Sequence, residues 1–153
     1  MDGQEVAIRE LNAFLKGRYM GIKQLENLIQ NIQDEAIKEQ LQEIQQIHKN
    51  QATRLAERIQ NLGGRPVDGI GIKGTLQEWM GRLKGYPQDK RGIIELAKKG
   101  EDFYSLEISE EIVRGDLDPE SRALIEEILD EDRLIVTRLE RLLDQIENDR
   151  ENS

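Results

Sequence analysis

The sequence contains no cysteine and only one histidine, His48, among its 153 residues. Without cysteine the chain cannot form disulfides, thiolate zinc sites or iron–sulfur clusters, and it has no cysteine nucleophile. A single histidine excludes most histidine-rich metal sites. Aromatic residues are also scarce, with two Phe, three Tyr and one Trp. These absences exclude several classes of metal and redox centre before any pattern is considered.

Long apolar runs and excess positive charge are missing as well. No stretch approaches the roughly 18 apolar residues of a membrane-spanning helix, and the N-terminal MDGQEVAIRE lacks the apolar core of a signal peptide. We therefore expect a cytoplasmic protein without membrane contact. The 22 basic residues face 31 acidic ones, for a formal charge of −9. We expect no nucleic-acid partner, because phosphate backbones bind to positive surfaces.

Apolar residues recur at spacings of three and four along most of the chain, which is the period of an amphipathic helix. The pattern predicts four helices, over about Gln4 to Ile32, Asp34 to Leu62, Lys90 to Arg114 and Pro119 to Ile146. Gly63 is typical of a helix end, and Asp118 followed by Pro119 is typical of a helix start.

The connections between the predicted helices determine their arrangement. Helices one and two meet near Gln33, and only Gly115 to Asp118 join helices three and four, so each pair forms an antiparallel hairpin. Residues 63–89 are numerous enough to cross back along the bundle, and Thr75 to Leu83 reads as a short helix within them. We predict one all-α domain over residues 1–153, an antiparallel four-helix bundle with this long crossover and a frayed tail at residues 149–153.

Each predicted helix interrupts its inward apolar stripe with a polar residue near its middle. These residues are Arg18, His48 with Gln51, Glu101 and Asp132. Helical spacing places all five at one level of the bundle. Because burying such groups singly is costly, we expect them to contact one another or a bound ion.

Three segments resemble ferritin-like proteins, which join two helical hairpins through a long crossover. LNAFLKGRYMGI, LAERIQNLGGRP and ILDEDRLIVTRLERLLDQI are similar to the first, second and last helices of bacterioferritin-like proteins. FLKG and GDLDPES are also similar to stretches of small bacterial ferritin-like proteins. The resemblance implies the ferritin-like fold, and a di-iron centre built from a Glu on one helix of each pair and a Glu-x-x-His on the other. It also implies a homodimer or larger homo-oligomer, because such bundles commonly pair through helices one and two. Tyr19 and Met20 lie beside the inward stripe of helix one and are candidates for that dimer seam.

In the first hairpin, the residues at the family's ligand positions differ from the ligands. The helix-one Glu falls at Arg18, and the Glu-x-x-His falls at His48 and Gln51. The heme-ligating Met of bacterioferritins falls at Lys49, so we expect no heme by that route.

In the second hairpin, one ligand position is retained and another is nearly so. The helix-three Glu falls at Glu101, which fits. The helix-four Glu falls at Asp132, a shorter carboxylate, and its His falls at Ile135, which cannot bind a metal. At most three ligands remain: His48, Glu101 and Asp132.

These differences favour loss of the di-iron centre, because two iron ions in a dry core need several anionic oxygens. We interpret Arg18 as a replacement for the metal charge that pairs with Glu101 or Asp132, while His48 and Gln51 complete a polar cluster. The favoured function is a non-catalytic ferritin-like protein acting through binding or assembly, with no catalytic or cofactor-binding residue and no cofactor.

Two other functions stay open. One is a metal-binding oxidoreductase or iron-handling protein that holds a single iron, manganese or zinc ion at His48, Glu101 and Asp132. The other is a small-molecule binder that uses the polar cavity. By contrast, Gly69, Gly71 and Gly74 spell G-x-G-x-x-G without a preceding strand, so we interpret them as a linker rather than a dinucleotide site.

Overall fold

The computed structural model describes residues 3–69, 89–102 and 117–152, which contain helices and no strand. We number the helices α1 (Gly3–Asn31), α2 (Glu35–Asn61), α3 (Lys90–Gly100) and α4 (Pro119–Glu151). The all-α prediction is confirmed. The expected helix from Thr75 to Leu83 and the expected extension of helix three to Arg114 lie outside the described residues. No helix in the described ranges combines the length and apolarity needed to cross a bilayer.

Side-chain caps start two of the helices where the sequence predicts them. The Asp34 carboxylate accepts a hydrogen bond from the Ile37 N–H at 3.1 Å at the start of α2. The Asp118 carboxylate accepts one from the Ser121 N–H at 3.1 Å, with Pro119 in the first turn of α4. Each cap satisfies one of the backbone donors that a helix start leaves without a partner.

Helix α2 ends in a left-handed turn that returns the chain towards α1. Gly63 has φ of 86°, and the Gly64 N–H donates at 2.9 Å to a carbonyl in the last turn of α2. The Asn12 side chain holds the next residues, donating to the Arg65 carbonyl at 3.1 Å and accepting from the Val67 N–H at 2.8 Å. This segment therefore lies against α1.

Ion pairs between helices show their directions. As residue numbers rise along α2 and α3, the numbers of their partners on α4 fall. The pairs are Glu43–Arg138 and Arg58–Asp118 for α2, and Arg91–Glu147 and Lys98–Glu140 for α3. Helices α2 and α3 are therefore both antiparallel to α4 and parallel to each other. Lys90 Nζ lies 3.8 Å from Asp34 Oδ2, so the starts of α2 and α3 share one end of the bundle. The chain leaves α2 at the opposite end, and the predicted crossover topology is confirmed.

Among the described residues, two apolar clusters form the core, one towards each end of the bundle. The cluster near the α1–α2 turn contains Leu25, Leu28, Ile32, Ile37, Leu41, Ile44, Ile93, Ile94, Leu96, Ala97, Ile135, Leu139 and Ile146. The cluster at the other end contains Leu11, Phe14, Leu15, Ala52, Leu55, Ile59, Ile125, Ile128 and Leu129. Residues near the middle of the bundle lie between these two apolar clusters and separate them.

Two details differ from expectation. Met20, expected beside a dimer seam, is buried within the single chain, and Tyr19 packs partly buried against the second apolar cluster. The tail expected to fray from Asp149 is helical through Glu151 and is capped at Asn152. Helix α4 therefore extends beyond its last buried apolar residue.

Candidate functional site

Five polar side chains lie together between the two apolar clusters, and we name them the polar layer. Arg18 comes from α1, His48 and Gln51 from α2, Glu101 from just beyond α3, and Asp132 from α4. None of the five is more than 5% exposed. The structure thus brings together all five residues that interrupt the inward stripes.

Gly100 allows α3 to approach α1 closely next to the polar layer. A Cβ at Gly100 would lie 2.0 Å from Oε1 of Gln24, and Gln24 is buried with its amide donating to the Leu96 carbonyl at 3.1 Å. The N–H of Glu101 donates to the Ala97 carbonyl, so the helical backbone continues past Gly100 and places Glu101 in the polar layer.

One atom, Nη1 of Arg18, lies among the polar atoms of α2 and α4. It is 2.9 and 2.8 Å from the two carboxylate oxygens of Asp132, 2.9 Å from Oε1 of Gln51 and 3.3 Å from Nδ1 of His48. The guanidinium also lies over the Phe14 ring, with Cζ 4.9 Å from the ring centroid, which is a cation–π contact. Arg18 therefore places a permanent positive charge in the middle of the polar layer.

His48 uses both ring nitrogens. Nδ1 lies 2.9 Å from Oε1 of Gln51, and Nε2 bonds to Oε1 of Glu101. Both oxygens can accept a hydrogen bond from a protonated ring nitrogen, whereas Nη1 of Arg18, 3.3 Å from Nδ1, could donate only to an unprotonated one. Burial lowers the pKa of His48, but the charge of Glu101 and its hydrogen bond outweigh burial and raise that pKa from 6.5. The bond to Glu101 and the raised pKa of His48 together favour the imidazolium.

The charges of the polar layer cancel when His48 is protonated. Arg18 and His48 are then positive, while Glu101 and Asp132 are negative. Burial raises the pKa of Asp132, and the charge of Arg18 opposes that rise. Because both Asp132 oxygens accept hydrogen bonds from Arg18, the contacts fit the carboxylate rather than the acid. A neutral total avoids the penalty of an isolated buried charge.

Two residues connect the polar layer to the protein surface. The Gln51 amide donates to Glu131 at 3.0 Å, and Arg54 donates to both Glu131 oxygens at 2.6 and 3.0 Å. Arg54 also pairs with Glu127 at 3.3 Å. Neither Glu131 nor Arg54 is expected from the sequence, because half-buried charges look like a solvated helix face. The available signal is their spacing, since Arg54 follows Gln51 by three residues and Glu131 precedes Asp132.

A groove between α2 and α4 opens beside these two residues, and we name it the α2–α4 groove. Its volume is about 440 Å³. Its walls are formed by Ile47, Asn50, Arg54, Glu131, Leu134, Ile135 and Arg138. Leu134 is 71% exposed and is the one large apolar side chain that is exposed among the described residues.

Three members of the polar layer have side chains of the types that bind metals. His48, Glu101 and Asp132 each offer one ligand atom, and these atoms lie within 4.8 Å of one another. Two atoms bonded to one zinc ion at about 2.1 Å lie at most about 4.2 Å apart. A single ion would thus fit after a small inward movement and after His48 released a proton.

A pair of iron ions does not fit the residues present. Arg18, Gln51 and Ile135 stand at three positions where the resemblance implies ligands. A guanidinium has no lone pair to share with a metal, and Nη1 of Arg18 already lies between Asp132 and Gln51. Among the described residues, the donor set therefore lacks the anionic oxygens that two iron ions need.

Comparison with known proteins places the chain in a family. No curated protein matches it. A similar solved structure is the bacterioferritin-related protein from Bacteroides fragilis, described as a dodecameric thioferritin. The two structures superpose with a TM-score of 0.74 at 18% sequence identity, over 99% of this chain and 92% of that chain, which shows a shared fold. Residues 6–115 match the family described as "Domain of unknown function (DUF2383)". The chain belongs to the DUF2383 family, and its fold is that of the ferritin-like superfamily.

Proposed function

We propose that this protein is a cytoplasmic, non-catalytic member of the ferritin-like superfamily, in which the polar layer takes the place of a di-iron centre and the protein acts through binding or assembly. One observation carries the proposal: Nη1 of Arg18 lies within 2.9 Å of both Asp132 oxygens and of Gln51. A guanidinium neutralises carboxylates through hydrogen bonds, as a metal ion does through coordination, but it needs no metal uptake.

The energetics of Arg18 support this proposal. A metal at the polar layer would compete with a guanidinium that is 1% exposed and paired with a fully buried carboxylate. Breaking such a pair costs roughly 3–5 kcal/mol. Metal binding would also require removal of a proton from His48, which Glu101 favours in its charged form. Both effects oppose metal uptake.

Assembly of several copies is the second part of the proposal. The Bacteroides fragilis protein of the same fold is described as dodecameric. We propose that this chain also forms a homo-oligomer, of which a dimer is the smallest unit. Such an oligomer would offer surfaces that one copy alone does not provide.

A second candidate function is a single-metal centre, supported by the proximity of His48, Glu101 and Asp132. One iron, manganese or zinc ion there would make the protein a metal-binding oxidoreductase or an iron-handling protein. In that case His48 would give up a proton, Glu101 would exchange its bond to His48 for a bond to the metal, and Asp132 would share its negative charge between the metal and Arg18.

Metal analysis distinguishes the two functions. Protein purified without chelator is incubated with Fe(II), Mn(II) or Zn(II), desalted, and measured by mass spectrometry of the elements. We expect far less than one ion per chain. One ion per chain that is lost in His48→Ala would overturn the first proposal and support the single-metal centre.

A variant that restores ligands tests whether the polar layer stands at the former metal position. We expect the triple variant Arg18→Glu, Gln51→His and Ile135→His to bind iron that the natural protein does not bind. Circular dichroism establishes that the variant is folded. A folded triple variant without iron would contradict the assignment.

A matched control tests whether iron binding requires the new ligands to lie in the polar layer. Lys16→Glu, Gln46→His and Thr137→His introduce the same three side chains at exposed positions of α1, α2 and α4. We expect this control to bind no iron. Equal amounts of bound iron per chain in both triple variants would show that iron binding does not depend on where the new ligands lie.

A further inference from the structure

We propose that the α2–α4 groove is the surface through which two copies of this chain associate, with Leu134 of each copy seated in the groove of the other. The inference rests on the proposed assembly of copies and names its surface. The Leu134 side chain is 71% exposed, whereas the other large apolar side chains in the described ranges are at least partly covered.

Leu134 lies beside apolar surface that would receive its counterpart. Ile47 of α2 and Ile135 of α4 also line the groove, whose volume of about 440 Å³ is open to a side chain from outside. In a two-fold dimer each copy contributes the same patch, so Leu134 acts as both the inserted side chain and part of the receiving wall. Burial of Leu134 and of the groove walls from water would favour association.

Charges on α4 are arranged to match a second copy in the antiparallel direction. Glu131 lies three residues before Leu134, and Arg138 lies four residues after it, so all three share one face of the helix. A two-fold axis near Leu134 brings Glu131 of one copy opposite Arg138 of the other, and the reverse. The surface is thus complementary in charge to itself, which is what an isologous dimer requires.

Both charged residues already have partners within their own chain and retain capacity for another. Glu131 accepts from Arg54 and Gln51, and Arg138 pairs with Glu43. A guanidinium has five donors, and a carboxylate has about four lone-pair sites. These intrachain pairs hold both side chains at the edge of the groove, so less conformational entropy is lost on association.

Substitutions at the centre of the groove test the surface. The mass of the natural protein and of Leu134→Glu is measured by sedimentation and light scattering over a range of concentrations. We expect the natural protein to self-associate and Leu134→Glu to weaken that association by about a hundredfold. Arg133→Glu is the matched control, because Arg133 is exposed on α4 but lies outside the groove walls, and it should associate normally.

A charge reversal tests the antiparallel pairing. Glu131→Arg and Arg138→Glu should each weaken association by about tenfold, because each places like charges opposite one another between the copies. The double variant should recover most of it. Both single changes also create repulsion within the chain, against Arg54 and Glu43, and the double variant keeps that repulsion. Recovery therefore reports the contact between copies alone.

The possible results distinguish the proposed dimer surface from the more general proposal that the chain forms a homo-oligomer. A natural protein that stays monomeric at high concentration overturns both the proposed assembly and its surface. An oligomer that Leu134→Glu leaves unchanged overturns the surface and leaves assembly standing. Failure of the double reversal to recover association overturns the antiparallel pairing.

Discussion

Arg18 and Asp132 form an ion pair in which neither partner is more than 1% exposed. Replacing Arg18 with Met leaves the Asp132 carboxylate in the core without its cation. Removing one partner of a buried pair costs about 3–5 kcal/mol. We expect Arg18→Met to lower the free energy of unfolding by that amount in a urea titration at pH 7.

A double variant distinguishes lost charge from lost packing. Arg18→Met combined with Asp132→Leu removes one charge of each sign and leaves His48 and Glu101 in balance. Most of the lost stability should return, because apolar side chains of similar volume often replace a buried pair without loss. A double variant that loses as much as the two single variants together would contradict the pairing.

Periodicity is sufficient to place the members of the polar layer on inward faces. Arg18 follows Phe14 by four residues, for example, and Gln51 follows His48 by three. Which atoms meet cannot be read from spacing, because that depends on how each helix is rotated and how deep it lies. Arg18 contacts Asp132, one of its two expected partners, while Glu101 bonds to His48.

Gly100 of α3 is required for close packing against α1, whereas Gly21 of α1 has no such role. Gly21 in α1 has nothing within 4 Å of where its Cβ would be, so Gly21→Ala should stabilise the protein by about 0.5–1 kcal/mol. At Gly100 a Cβ would lie 2.0 Å from Oε1 of the buried Gln24. The Gln24 side chain would have to move, and its buried amide would lose the hydrogen bond to the Leu96 carbonyl.

We therefore expect Gly100→Ala to destabilise the protein by about 1–3 kcal/mol, the cost of leaving a buried polar group unsatisfied. Thermal unfolding of the two alanine variants gives the comparison directly. An equal gain in stability from both substitutions would show that α1 and α3 separate at no cost.

Helix ends with a chemical signal are predicted closely, and ends without one are not. Helix α2 was predicted from Asp34 to Leu62 and spans Glu35–Asn61, because Asp34 caps it and Gly63 turns the chain. Helix α4 continues to Glu151, past the last apolar residue of its stripe. An apolar stripe reports where a helix is covered, and a helix continues wherever its backbone bonds persist.

At the scale of the molecule, Arg58 and Asp118 join the two hairpins at one end of the bundle. Arg58 Nη2 lies 2.7 Å from the Asp118 carboxylate that also caps α4. Burial raises the pKa of Asp118, but hydrogen bonds from Ser121 and the hydrogen bond and charge of Arg58 outweigh it, so the pKa is lowered from 3.8. A carboxyl whose pKa falls on folding stabilises the fold above its unfolded pKa, and that contribution is lost as the pH falls through the folded value.

We expect Asp118→Ala to cost about 1 kcal/mol at pH 7, as loss of a helix N-cap does. The difference from the natural protein should shrink once the pH falls below about 4, where Asp118 of the unfolded chain gains its proton, and shrink further as the pH falls through the lower pKa of the folded protein. Urea titrations of both proteins from pH 7 to about pH 3 give this difference. A difference that grows towards low pH would contradict the assigned direction of the pKa.

The topology of the whole bundle follows from connection lengths, whereas the α2–α4 groove does not. Short links at Gln33 and before Asp118 permit only hairpins, and the long link between them leaves a crossover as the simplest arrangement. The groove depends on how far α2 stands from α4, and that distance is set by side chains such as Arg54 and Arg138, which the pattern assigns to solvent.

The polar layer opposes sliding of one helix along its axis past the others. An apolar stripe repeats about every turn, so a helix displaced along its axis by 5.4 Å, one turn, would again place apolar residues against apolar residues. The polar layer occurs once in each helix. After such a slip, Arg18, His48, Glu101 and Asp132 would face leucine and isoleucine instead of one another, at a cost of several kcal/mol for each charge. The layer therefore fixes the axial register of the bundle, a role that holds whether or not the position ever binds a metal.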